Sequence, residues 1–74
     1  MNLGELKIGQ RANIVQVHFG VSTLRIMELG MVVGAEVRLL AIAPTGEPLA
    51  FQIGESVVSL RKSDAAVVKI ELLV

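Results

Sequence analysis

The sequence predicts a mainly β fold, a small barrel of about five strands with one short helix inserted early. Three observations lead there. Through the second half of the chain apolar residues alternate with polar ones, the period of half-buried strands. Gly and Pro cut those runs at short intervals. The third is length: 74 residues leave little room for a two-sheet sandwich of seven or more strands, which takes about 100.

The elements follow in chain order. Residues 13–19 read as a strand with Val15, Val17 and Phe19 on one face and Gln16 and His18 on the other. Residues 22–29 read as the helix. Ser22 or Thr23 is placed to cap it, Leu24, Arg25, Met27, Glu28 and Leu29 favour it, and Gly30 can close it. At about 100° per residue, Leu24, Met27 and Met31 gather on one side and Ile26 and Leu29 on another. Arg25 and Glu28 fill one gap between them. Two apolar stripes exceed what one core contact requires.

Residues 37–43 form an almost unbroken apolar run, the pattern of a strand covered on both sides. Pro44-Thr45-Gly46-Glu47-Pro48 then turns the chain into Leu49, Phe51 and Ile53, which alternate with Ala50 and Gln52. The two-residue link Gly54-Glu55 predicts a tight hairpin into Val58 and Leu60, with Ser59 between them. Asp64-Ala65-Ala66 reads as one helical turn. In the last strand Val68, Ile70, Leu72 and Val74 alternate with Lys69, Glu71 and Leu73.

Composition then limits function. The length fits a single domain over residues 1–74, burying only about 60–65% of its surface. Seven basic and seven acidic side chains cancel, so nucleic acid and anionic membrane surfaces are not held by charge. No apolar run reaches the about 20 residues of a spanning helix, and the first residues lack the pattern of an export signal. With no cysteine the default expectation is a cytoplasmic protein without disulfides or thiolate chemistry. Phe19 and Phe51 are the only aromatics. That removes the ring-lined grooves that hold Pro-rich peptides or stack single-stranded bases.

Catalysis finds no constellation. His18 would have to serve as the base of any nucleophile, yet it falls on the polar side of a strand, and no Gly-x-Ser-x-Gly elbow is present. The acidic residues are scattered and the glycines form no phosphate cradle. The expectation is that the chain is not an enzyme and carries no cofactor. One His without Cys builds no tight transition-metal site, so no metal site is expected; a loose surface site of His18 with a carboxylate stays open as the alternative.

Four pieces in order carry a family resemblance: Leu3-x-x-Leu6-x-x-Gly9; Arg25-Ile26-x-x-Leu29-Gly30-Met31-x-x-Gly34; Pro44-x-Gly46-Glu47-Pro48; and Leu60-Arg61-Lys62-Ser63-Asp64-Ala65 before a final apolar strand. In these the chain resembles the FeoA family of small ferrous iron transport proteins, over roughly residues 3–70. The same module occurs at the carboxy terminus of some metal-dependent repressors. Val33 stands where the family often has Pro, a residue that would pre-set φ in that turn. The resemblance implies an SH3-like barrel and a cytosolic accessory of the membrane ferrous iron transporter, whose cytosolic part is a GTPase.

Within that reading one helix stripe packs on the barrel and the other meets the partner. The partner-binding residues expected are Leu24, Arg25, Met27, Glu28 and Met31, with Met supplying adaptable contacts and the two charges a rim. Burial of both stripes in a crowded core is the alternative. The second functional reading is an excised carboxy-terminal domain of a metal-dependent repressor; a chain that starts at Met1 and holds no DNA-binding helices argues against it. Weak self-association through a free β edge or the outer stripe is a further expectation.

Overall fold

The computed structural model describes residues 1–73; Val74, expected on the inner face of the last strand, lies outside the described residues. A 3₁₀ turn at Leu3–Glu5 leads into β1 (Arg11–Val17), α1 (Thr23–Glu28), β2 (Glu36–Ile42), β3 (Leu49–Ile53), β4 (Ser56–Leu60), α2 (Lys62–Ala65) and β5 (Val68–Leu72). The five strands form one antiparallel sheet in the order β4-β3-β2-β1-β5. The edge strands β4 and β5 are joined only by the short segment that holds α2, so the sheet must curl until its edges approach. That makes an SH3-like barrel of the expected kind.

The interior is one cluster drawn from every strand and from α1, with Phe51, Leu3, Ile14, Ile26, Met31 and Leu39 among its fully buried side chains. Phe51 sits mid-strand, opposite Leu39 on β2 and Val58 on β4. Three successive strands therefore close over the same ring. The hairpin Ile53-Gly54-Glu55-Ser56 is as tight as its sequence predicts. Gly54 at the first central position has φ +58°, which a side chain would resist.

Two bulges explain where strand periodicity and structure part. On β1, Ile14 faces Ile70 while Gln16 faces Lys69, so Val15 is an extra residue and the alternation changes phase there. The inner face is accordingly Ala12, Ile14 and, past the bulge, Val17; Val15 turns outward. The strand also begins at Arg11 and stops at Val17, leaving His18 and Phe19 in a loop. On β2, Leu39 faces Phe51 and Ala41 faces Ala50, which makes Leu40 the extra residue. The apolar run of β2 is covered on one side only: Val37 and Leu39 are buried, whereas Leu40, Ala41 and Ile42 are exposed. At the end of β5, Leu72 is likewise exposed, since the strand runs past the core.

The amino-terminal residues complete the β5 edge. Asn2 bridges Lys69, and the carbonyl of Met1 accepts a bond from the Ile70 amide at 2.9 Å. A capping box fixes this segment: Asn2 Oδ1 accepts from the Gly4 amide at 2.9 Å and the Asn2 amide donates to Glu5 Oε1 at 2.8 Å. Among the described residues no helix is long and apolar enough to cross a membrane.

Candidate partner-binding face

The short helix α1 sits on the barrel by a single buried residue of its own, Ile26. Its exit is a Schellman motif. Gly30 takes φ +100°, its amide donates to Met27 O at 3.0 Å, and the Met31 amide donates back to Ile26 O at 3.3 Å. In that motif the residue after the glycine folds back toward the last helical turn. Met31 accordingly joins Ile26 inside the core with no exposed surface. This corrects the expected outer stripe, because Met31 lies beyond the helix end and cannot follow its 3.6-residue period.

The rest of that stripe is outside. Leu24 is 71% exposed and Met27 44%, and Arg25 and Glu28 are exposed beside them. Leu29, paired with Ile26 by helical period, is also partly in solvent, so the inward stripe is narrower than its sequence suggests. At the entry, Ser22 makes no side-chain cap. The Thr23 hydroxyl instead accepts from the Gly20 amide at 2.6 Å and donates to His18 O at 3.1 Å. That hydroxyl pins the loop before the helix and leaves Phe19 98% and Val21 107% exposed. Sequence periodicity missed both, having placed Phe19 on a strand. Gly20 and the Ser22-Thr23 pair, which end one element and begin another, were the available signal.

Three of the family segments are joined through α2. Arg25 Nη2 lies 3.0 Å from Asp64 Oδ2, an ion pair between α1 and α2. Glu47, from the turn between β2 and β3, accepts the Lys62 amide at its Oε1, 2.8 Å away, and so caps α2 from outside the helix. Gly46 permits that approach with φ +97°; a Cβ there would stand 3.1 Å from Lys62 Nζ. A shallow cleft of about 460 Å³ runs between α1 and α2, lined by Val21, Ser22, Arg25, Arg61, Ser63 and Asp64. Such an open, charged cleft lacks the enclosed apolar walls of a small-molecule pocket. His18 is exposed, and among the described residues no three His, Cys, Asp or Glu side chains gather as metal ligands.

A small curled five-stranded sheet with a projecting helix, an apolar edge and a charged rim defines the class: an SH3-like domain. The chain belongs to the FeoA domain family, whose family model matches residues 1–72. A relative from Porphyromonas gingivalis, an Fe(2+) transport protein A/Fe(2+) transporter FeoB fusion protein, is 40% identical over 99% of this chain. The chain spans only 9% of that relative's length. The FeoA protein of Chlorobium tepidum is 32% identical and superposes with a TM-score of 0.91, over 100% of this chain and 71% of that one. FeoA of Stenotrophomonas maltophilia, solved in complex with zinc and described as a procaryotic SH3 domain protein, is 37% identical. It superposes with a TM-score of 0.84, over 96% of this chain and 89% of its own.

Proposed function

We propose that this chain is a cytoplasmic accessory of ferrous iron uptake that docks on the cytosolic GTPase part of the membrane ferrous iron transporter. One observation carries the reading: in the Porphyromonas gingivalis relative a domain of this kind and the transporter are a single polypeptide. Covalent joining holds two parts at high effective concentration, and separate chains that work together must achieve by affinity what the fusion achieves by linkage.

The docking face is the outer side of α1. Leu24 and Met27 supply the apolar contact, Phe19 and Val21 extend it, and Arg25 and Glu28 set the register. Binding there regulates the transporter only if this face prefers one conformation of the partner over another. The test is titration of isotope-labelled protein with the GTPase region of the transporter. The reading expects amide shifts confined to residues 19–28 and the facing residues 61–64, together with a change in GTP hydrolysis. Shifts confined to the opposite side of the barrel would overturn the face, and the absence of any contact with the full transporter would overturn the function.

A further inference from the structure

We propose that this protein also pairs with a second copy of itself, β4 against β4, antiparallel about a two-fold axis at Val58. The two edges of the sheet are unequal. The β5 edge is occupied by Met1 and Asn2, whereas β4 ends the sheet with nothing beyond it among the described residues. In a two-residue hairpin the residues flanking the turn share hydrogen bonds, and bonded and non-bonded pairs then alternate. With Ile53 opposite Ser56, the amides and carbonyls of Ser56, Val58 and Leu60 point to β3. Those of Val57 and Ser59 point outward. Nothing along Ser56–Leu60 protects this edge: it holds no Pro, no Lys and no bulge, and Val57 is exposed on its outer face.

The strand is complementary to itself in charge. With the axis at Val58, Val57 of one copy faces Ser59 of the other, and their outward amides and carbonyls complete four hydrogen bonds. The same register sets Glu55 opposite Arg61, twice by symmetry. Both side chains are exposed, and among the described residues neither makes an ion pair or side-chain hydrogen bond within its own chain. Arg61 keeps an extended backbone, φ −74° and ψ 158°, so the strand direction continues through it. A two-fold interface of one short strand is small, and the association is correspondingly weak.

The test is sedimentation equilibrium of the full chain from about 10 µM to about 1 mM, the range of weak interfaces. The average mass is expected to rise from 7.9 kDa toward twice that value. Glu55→Arg alone, or Arg61→Glu alone, turns two attractive cross-strand pairs into two repulsive ones and raises the dissociation constant roughly ten-fold or more. An equimolar mixture of the two variants restores attraction at both pairs and regains association. That recovery also shows that neither variant has lost its fold. A mass that stays at 7.9 kDa throughout overturns the proposal. So does association that ignores both reversals, or a mixture that fails to recover.

Discussion

Arg25 and Asp64 stand 39 positions apart in the chain and 3.0 Å apart in space, joining the two short helices α1 and α2. The pair is lopsided. The Asp64 side chain is 13% exposed, while that of Arg25 is largely in solvent. Removing the guanidinium strands a mostly covered carboxylate, whereas removing the carboxylate leaves a cation that water can serve. Arg25→Ala is expected to cost about 1 kcal/mol, lowering Tm by about 4–8 °C in a domain of this size. Asp64→Ala costs less, and the double variant costs no more than Arg25→Ala alone. Thermal unfolding of the three variants checks the order; a double variant whose loss equals the sum of the two single losses would show that the pair contributes nothing.

Met27 and Met31 provide a contrast within one segment. Met27→Asp places a charge in solvent and leaves Tm within about 2 °C, yet it abolishes transporter binding under the proposed function. Met31→Ala hollows the core beneath the helix and costs about 2–5 kcal/mol. A domain of this length has only about 4–11 kcal/mol in total, so that loss is a large share of it. Urea unfolding and amide spectra of both variants separate the roles.

Gly30 is held by conformation and by contact. Its φ of +100° is reached readily only by glycine, and a Cβ there would sit 3.3 Å from Ile53 Cγ2. Gly30→Ala is expected to lose about 1–2 kcal/mol in urea unfolding, the cost of a left-handed residue with a side chain.

Glu47 caps a helix to which it does not belong. Glu47→Ala frees the Lys62 amide and is expected to cost about 1 kcal/mol, as loss of a helix cap does. Amide hydrogen exchange reads it locally: Lys62 and its neighbours in α2 exchange faster, while the amides of β1 and β2 keep their protection. Unchanged exchange in α2 would refute the cap.

Phe19 and Val21 have no fold to maintain. Phe19→Ser and Val21→Ser are expected to leave Tm within about 2 °C, since surface changes of this kind stay within about 0.5 kcal/mol. A larger fall in Tm would show that the loop packs against the barrel after all. Under the proposed function both weaken transporter binding.

What the sequence discloses depends on how local the cause is. The β3–β4 hairpin is readable because the alternation of Leu49, Phe51 and Ile53 and the turn at Gly54 agree within one short stretch. The bulges at Val15 and Leu40 are invisible in one strand's composition, since a bulge exists only relative to the partner's register. Once a bulge is inserted, every later side chain changes face, which is why Val17 turns inward although Val15 does not. On α1, the exposure of Leu24 and Met27 follows helical spacing. Met31 does not, because it obeys the geometry that Gly30 sets after the helix has ended. The contacts of Arg25 with Asp64 and of Glu47 with the Lys62 amide could not be read from spacing at all, being produced by the curl of the sheet.

The bond from the Ile70 amide to the Met1 carbonyl has a consequence for stoichiometry. A sheet with two vacant margins can add copies without limit and grow into filaments, as exposed strands tend to do. Here one margin is filled by Met1 and Asn2, so the proposed edge pairing would stop once two molecules have met. Under that proposal the same two residues that finish a strand ladder act as a stopper against polymerisation, and deleting Met1 and Asn2 is expected to turn a closed pair into an open series.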